Sequence, residues 1–370
     1  MIKLENVTKK FSGLKQPAVD NLNLEVKEGD ICVLVGPSGC GKTTTMKMIN
    51  RIHEPTSGAI YIDGQDALKM NPIKLRLDIG YVIQEIGLFP HQTIEENVAT
   101  VPNEKKWAKD KTKKKVAEML TLVGLDPKIY GNRYPSALSG GQRQRVGVAR
   151  AMVSDPPIML MDEPFGAVDP ITRARLQNEF LRIQERISKT IVFVTHDIDE
   201  AIKMGDTIAV MRDGKLIQHA TPSDLLSAPA DEFVSSLVGR NRSIKRLHLI
   251  RIREILDEVD RLKPATEDMP YDDLKKRIDD SDIRSVMVVD RDNRLKGVIG
   301  MSDLKRKAGD VAADYVQDID QSVTSDATLN DALSVMLECG EGFVAVVNED
   351  DQYQGTITLG DLLHVVKEED

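Results

Sequence analysis

The stretch Gly36-Pro-Ser-Gly-Cys-Gly-Lys-Thr43 does most to limit what this chain can fold into. It follows the β-branched, apolar run Ile31-Cys-Val-Leu-Val35 and leads into Thr44-Thr-Met-Lys-Met-Ile-Asn50, which reads as a helix. Strand, glycine loop and helix in that order gather backbone N–H groups and the positive end of a helix dipole around one small volume, and a chain of phosphates is the anion that fits it. Gly36, Gly39 and Gly41, with Ser38 and Cys40 between them, let the loop curl around a β-phosphate. Lys42 can bridge β- and γ-oxygens, and Thr43, followed by Thr44, can offer a hydroxyl to Mg²⁺.

A second element agrees with the first. Ile158-Met-Leu-Met-Asp-Glu163 is an apolar run ending in two carboxylates. Asp162 at the tip of a buried strand can hold Mg²⁺ through water, and Glu163 can polarise the water that attacks a γ-phosphate. Runs of this kind, with Ile191-Val-Phe-Val194 as a third, alternate with longer helical patterns from residue 1 to about 238, which is the signature of parallel strands in an α/β fold.

At 370 residues and 41% hydrophobic, the chain has length for two or more domains. Charge separates them: residues 251–370 hold 15 Lys and Arg against 29 Asp and Glu, a net of −14, leaving 35 against 30, a net of +5, for residues 1–250. We place a linker over 239–250, starting at Gly239-Arg-Asn-Arg-Ser-Ile-Lys-Arg246. Beyond it, residues 285–304 align without gaps on 343–362 at an offset of 58. Each copy reads as strand, polar turn, strand and a helix capped by Asp303 or Asp361, with another helix before it (271–278 and 329–337). Two such copies, 251–309 and 310–370, are expected to pair their apolar faces. Cys32, Cys40 and Cys339 are too few and too scattered for a disulfide framework or a zinc cluster and are expected to be free thiols. No apolar run approaches the roughly 20 residues that span a bilayer, and the N-terminus lacks the apolar core of a secretory signal. Any link to a membrane is therefore expected through a partner.

Leu138-Ser-Gly-Gly-Gln-Arg-Gln-Arg145 makes the resemblance specific: it is similar to the signature motif of ABC ATPases. The resemblance implies a phosphate-loop nucleotide-binding fold with a RecA-like core, an antiparallel β subdomain and a helical subdomain. It also implies a homodimer closed head to tail on ATP and Mg²⁺, with Ser139, Gly140, Gly141 and Gln142 of one copy on the γ-phosphate held by the other. Gln84 matches the glutamine that contacts Mg²⁺ and relays to a membrane partner. Gly166-Ala-Val-Asp169 resembles the D-loop, and His196 in Val194-Thr-His-Asp197 resembles the switch histidine at the γ-phosphate. Phe11 stands where the family usually has a tyrosine that stacks on adenine. Cys40, among the loop's N–H groups, is expected to favour thiolate where solvent reaches it, so that alkylation blocks hydrolysis and ATP protects. The run Lys105-Lys-Trp-Ala-Lys-Asp-Lys-Thr-Lys-Lys-Lys115 reads as a solvated helix leading into the apolar 116–123 rather than as a nucleic-acid or lipid surface.

Taken whole, the chain resembles the ATP-binding subunits of bacterial importers for glycine betaine, carnitine, choline or proline betaine, an ABC ATPase followed by an α/β pair of CBS motifs. That implies integral-membrane permease subunits as partners, an extracellular substrate-binding protein as an indirect one, no nucleic acid, and a peripheral place on the cytoplasmic face of the plasma membrane. Solute recognition belongs to those partners, since a quaternary ammonium is best held by an aromatic cage and only 4% of this chain is aromatic. CBS pairs commonly bind adenine nucleotides, and cyclic di-AMP is the leading ligand in osmolyte importers. The carry-over nominates Val286, Val288, Val298, Ile299 and Asp303 in the first repeat and Val344, Val346, Thr356, Ile357 and Asp361 in the second. Gly300 departs from the threonine common before that aspartate, whereas Thr358 fits. Alternatives are a tail that docks on anionic lipid, which its net charge of −14 opposes although Arg291, Arg294, Lys296, Lys305, Arg306 and Lys307 can form a local patch, repeats that only add dimer contact, an importer of an amino acid or sugar, and an ABC ATPase acting on DNA or ribosomes. The last usually carries coiled-coil insertions or fused cassettes, and neither pattern is present in this sequence.

Overall fold

Apolar runs with no polar alternation need cover on both faces, and the computed structural model supplies it. Residues 2–83, 87–166, 168–239, 241–256, 263–280, 284–305, 309–319 and 322–367 are described, and they divide into two units after Gly239. The strands of the first are β1 (Ile2–Lys9), β2 (Val19–Val26), β3 (Ile31–Val35), β4 (Ser57–Ile62), β5 (Gln65–Asp66), β6 (Ile79–Val82), β7 (Ile158–Asp162), β8 (Thr190–Thr195), β9 (Thr207–Arg212) and β10 (Lys215–Ala220). Every residue of β3, β7 and β8 is buried.

A six-stranded sheet runs in the order β10-β9-β3-β8-β7-β6, parallel throughout except for β10. Val35 lies beside Thr195, and Asp162 beside Val194. The carboxyl ends of β3, β7 and β8 therefore emerge at one edge, where parallel α/β sheets bind ligands. A second, antiparallel sheet, β2-β1-β4-β5, packs its inward residues (Leu4, Leu22, Leu24, Ile60) into the same core as Leu34, Leu160 and Val192.

Helices Ile94–Glu104, Lys109–Leu122 and Gly140–Met152 pack on one another around Val98, Val116, Leu120, Leu138 and Val146, a separate core. The lysine-rich stretch differs from expectation, because it is not one helix. The chain turns at Lys106, whose φ is +55°, and helix resumes at Lys109, with the Lys111 ammonium 4.0 Å over the Trp107 ring. Beyond the turn Lys109, Lys113 and Lys114 are exposed while Thr112, Val116 and Leu120 face inward at a four-residue spacing. No helix among the described residues is long and apolar enough to cross a membrane, and all three cysteines are free.

The second unit contains β11 (Ala265–Thr266), β12 (Ser285–Val289), β13 (Leu295–Gly300), β14 (Ser322–Thr324), β15 (Phe343–Val347) and β16 (Tyr353–Thr358), in sheets β11-β12-β13 and β14-β15-β16. The repeat seen in the sequence extends to register: Val286 pairs with Ile299 as Val344 pairs with Ile357, and the ladder slips between Val288 and Val289 as it does between Val346 and Val347. The halves exchange two backbone hydrogen bonds, Leu295 N to Asp351 O (3.1 Å) and Tyr353 N to Asn293 O (2.8 Å). The 58-residue offset turns each bond into the other, so a local two-fold axis passes through the Arg294–Gln352 bridge between them.

The folded cores also draw on residues from outside the expected repeat bounds. Arg242–Leu247 is a helix, and Leu247, Ile252 and Ile255 fill the core of the second repeat with Leu329, Met336 and Val344. Ile252 N donates to Ala327 O and Leu329 N to Ile250 O, both at 2.9 Å. Conversely Ala312 and Tyr315, from the segment that leads into the second repeat, complete the core of the first, where Ala312 N donates to Met269 O at 2.9 Å. Each lead-in segment thus closes the other repeat, and a stretch that looks polar in sequence carries core residues at its helical spacing. Leu247→Ala should destabilise the second repeat by about 2–4 kcal/mol. In hydrogen exchange on the full chain, protection over 322–367 should fall while that over 263–304 holds; unchanged protection would show that the 241–256 segment is only a tether.

Candidate active site

The phosphate loop leaves the end of β3 on three glycines with positive φ: Gly36 (151°), Gly39 (81°) and Gly41 (107°). Two of these have no alternative. A methyl group on Gly36 would overlap the Met211 carbonyl, and one on Gly41 would lie 2.5 Å from the Ala18 carbonyl, so the loop fits between β9 and the start of β2 only without side chains there. Gly41 then opens the helix Lys42–Ile49, which no side chain caps, leaving the helix's first N–H groups for a ligand. Ser38 and Gly39 are exposed at the tip, and Thr43 and Thr44 are half-buried at the helix start. Lys42 folds back over the loop, its ammonium donating to Gly36 O at 2.6 Å and Pro37 O at 3.0 Å. Carbonyls are weak partners for a buried ammonium, so a phosphate oxygen would displace them.

The register of β3, β8 and β7 brings residues far apart in sequence to this loop. Thr43 Oγ1 donates to Asp162 Oδ1 at 3.1 Å. Asp162 is buried, and desolvation pushes its carboxyl pKa above the ordinary range; the Thr43 hydrogen bond opposes the shift and neighbouring Glu163 adds to it. A buried carboxylate and a hydroxyl in contact form a hard, all-oxygen donor pair, which fits Mg²⁺, and such an ion would offset the desolvation that Asp162 suffers. Gln84, the third expected ligand, lies outside the described residues, as does Ala167 in the D-loop stretch.

Glu163 follows with a φ of +47°, a left-handed conformation that costs a non-glycine residue about 1–2 kcal/mol. Backbone hydrogen bonds hold it there: its N–H donates to Val194 O at 2.9 Å, and its carbonyl accepts from Gly166 N at 3.1 Å. The turn directs the carboxylate to His196, whose Nδ1 lies 3.2 Å from Glu163 Oε1. The Glu163 side chain is 22% exposed and that of His196 is 64% exposed, so the pair is open to an incoming group. Asp197 caps the next helix, accepting from Asp199 N and Glu200 N, and Asp169 caps Pro170–Ile187 through Thr172 N at 3.0 Å.

The other expected residues lie elsewhere. Ser139 starts the helix Gly140–Met152 in a capping box: Gln142 N donates to Ser139 Oγ, and Ser139 N donates to Gln142 Oε1 at 2.9 Å. Gly140 and Gly141 form its first turn, so this N-terminus belongs to the helical core while the phosphate loop belongs to the sheet core. Phe11 is half-buried, with the Lys9 ammonium 5.0 Å from its ring centre and His53 edge-on at 5.3 Å.

Two expectations need correction. Cys40 is 4% exposed and packs in the sheet core, its Sγ 3.7 Å from Lys42 Nζ, so solvent does not reach the thiol. In the second unit Val286, Val288 and Ile299 point into the core of the first repeat, and Val344, Val346 and Ile357 into that of the second, none more than 3% exposed. These side chains are packed within their own repeat rather than presented at a surface. Period-two alternation is the reason: the opposite faces of the same strands, through Met287, Val289, Phe343, Ala345 and Tyr353, with Val298 against them, meet in a third cluster. Thr356 is buried as well, hydrogen-bonded to the Tyr353 hydroxyl at 2.8 Å. Asp303 and Asp361 remain half-buried at helix starts, accepting from Gly300 N (2.8 Å) and from Thr358 N and Oγ1 (2.7 Å each).

Two side chains of the helix Gly140–Met152 join the site's surroundings without a distinguishing signal in sequence. Gln144 donates from Nε2 to Glu163 O at 3.4 Å, and Arg150 donates to Gly87 O at 2.7 Å, with burial lowering the guanidinium's pKa. Backbone carbonyls are their targets, and no residue pattern encodes a carbonyl brought in by tertiary structure. Under native conditions a maleimide should label Cys339, which is exposed, and leave Cys40, Cys32 and ATP hydrolysis untouched, as read by peptide mass mapping. Rapid inactivation that ATP prevents would show the Cys40 thiol to be reachable.

Residues 19–166 match the ABC transporter family, and residues 252–310 and 312–368 each match the CBS domain. The osmoprotectant import ATP-binding protein OsmV of Salmonella typhimurium is 46% identical over 363 residues, 97% of this chain and 94% of its own. The glycine betaine/carnitine/choline transport ATP-binding protein OpuCA of Bacillus subtilis is 44% identical over 371 residues, 99% of this chain and 96% of its own. Among solved structures, the ATP-binding cassette MJ0796, in a dimeric post-hydrolysis state bound to ADP and Pi, is 35% identical with a TM-score of 0.56, covering 60% of this chain and 99% of its own. The chain belongs to the ABC transporter family: it is an ATPase with a tandem CBS pair, grouped with the osmoprotectant-import ATP-binding proteins.

Proposed function

We propose that this ATPase energises import of a quaternary ammonium osmoprotectant, such as glycine betaine, carnitine, choline or proline betaine, through a separate permease at the cytoplasmic face of the membrane. The observation that carries the mechanism is the convergence of Thr43, Asp162, Glu163 and His196 on one sheet edge, while Ser139 opens a helix on a different core. One chain therefore has a phosphate cradle on the sheet core and a second helix N-terminus, capped by Ser139 and Gln142, on the helical core.

In this reading the loop's N–H groups and Lys42 hold the β- and γ-phosphates of ATP, and Phe11 offers a face to adenine. Thr43, Asp162 and Gln84 would hold Mg²⁺, which would supply charge neutralisation on the phosphate oxygens. Glu163 accepts the proton of the attacking water, and His196, in contact with its carboxylate, orients toward the γ-phosphate. Ser139, Gly140, Gly141 and Gln142 of a second copy close on that phosphate from the opposite side, with Asp169 beside the seam. Helix-dipole and N–H donors suit the closure, since they act on an anion without reorganising. The osmoprotectant assignment rests on the relatives' names and full-length similarity, and a separate binding protein and permease would carry solute recognition.

We further propose an adenine nucleotide, cyclic di-AMP in the first place, as the ligand of the CBS pair. What supports it is symmetry: a two-fold dinucleotide matches two halves related by a local two-fold axis, each with a half-buried carboxylate, Asp303 or Asp361, at an equivalent helix start. Calorimetric titration of the full chain at saturating ATP should detect cyclic di-AMP binding that Asp361→Ala weakens; no heat from the unsubstituted chain would refute this ligand.

Glu163→Gln should keep ATP affinity and lower turnover by about 100-fold or more, and ATP should then shift the protein to a dimer in size-exclusion chromatography. Hydrolysis at the unsubstituted rate would refute Glu163 as the base. Radiolabelled betaine uptake by the complex with its permease, abolished in the same variant, tests the transport assignment.

A further inference from the structure

Gln144 is 4% exposed, and its amide is only half used. Nε2 donates to the Glu163 carbonyl at 3.4 Å, while Oε1 is buried with no hydrogen-bond partner among the described residues. The orientation is forced by the partner, because a carbonyl can only accept and the amide must turn its nitrogen toward it. An unpaired buried amide oxygen is a standing cost that an apolar side chain of the same length would avoid. A polar group kept at such a place has a use for its donor.

That donor falls on the peptide of Glu163, a non-glycine residue in a left-handed conformation. Glu163 sits at a φ of +47°, and in that conformation its side chain lies 3.2 Å from His196 Nδ1. Val194 O and Gly166 N hold the turn from the strand side and from within. From the helix Gly140–Met152, which begins at Ser139, Gln144 adds a further attachment.

We propose that Gln144 is a positioning residue for ATP hydrolysis: its amide fixes the Glu163 peptide, aims the carboxylate, and ties that aim to the helix whose N-terminus closes on the γ-phosphate of the other copy. A shift of the helix is then felt directly at the base. The proposal rests on the reading of Glu163 as the base.

Gln144→Met tests it, since methionine matches the length and removes both donor and orphan oxygen. The loss of one hydrogen bond from the transition-state arrangement predicts a kcat about fivefold lower with KM for ATP changed by less than about twofold. Because the unpaired oxygen goes too, the unfolding temperature should be unchanged or higher. An unchanged kcat overturns the proposal, and so does a lower kcat accompanied by a higher KM and a lower unfolding temperature, which marks simple loss of packing. Glu163→Gln is run beside it. If that variant hydrolyses ATP normally, the base assignment fails and the proposal falls with it; if it is inactive while Gln144→Met is normal, only the role of Gln144 fails. In the double variant, Gln144→Met should not lower the residual rate of Glu163→Gln further, and a further fivefold drop would show that Gln144 acts independently of Glu163.

Discussion

The chemistry of this protein depends on backbone hydrogen bonding between strands that are distant in sequence. β8 lies between β3 and β7, and its parallel register sets Val35 beside Thr195 and Asp162 beside Val194. Parallel pairing aligns like ends, so the loops after all three strands leave from the same edge. A hydroxyl from the first loop meets a carboxylate from the second, and a carboxylate from the second meets an imidazole from the third. Slip β8 by two residues and side-chain facing would survive, yet Glu163 N would lose its bond to Val194 O and the turn its geometry.

Around that edge the structure accepts local costs. Asp162 is desolvated, Glu163 is left-handed and Lys42 is satisfied by carbonyls. The first and third are charged groups without a full-strength counter-charge and the second is a backbone conformation, and all three lie around the end of the phosphate loop. A bound Mg²⁺ with ATP would relieve the first and third together. The helix carrying Ser139 has none of this strain at its start, being closed by its own capping box with Gln142.

The second unit solves a different problem. A strand pair and two helices have two apolar faces to cover, and each repeat covers one with its own helices and the other with its twin, through Met287, Val289, Phe343, Ala345 and Tyr353. The lead-in segments exchange partners as well, so neither repeat has a complete core alone. Family resemblance points to residues by their position along the strands, but which face of a strand turns inward depends on what packs against it. Val286 and Val344 went to the cores for that reason.

Much was legible beforehand because it is written locally. The glycine loop between strand and helix, the carboxylates ending an apolar run, the free cysteines and the 58-residue repeat with its hairpins all follow from residue type and spacing, which are properties of neighbours in the chain. The break at Lys106, the helix hidden in the supposed linker, the burial of Cys40 and the reach of Gln144 and Arg150 to backbone carbonyls were not legible. Each depends on a partner brought from far along the chain, and a carbonyl is offered by every residue alike, so no sequence pattern marks the one that is used. The sequence by itself determined which chemical groups were available and in what local frames; the tertiary structure decided which of them meet, because strand order and register, not spacing along the chain, set the distances between loops.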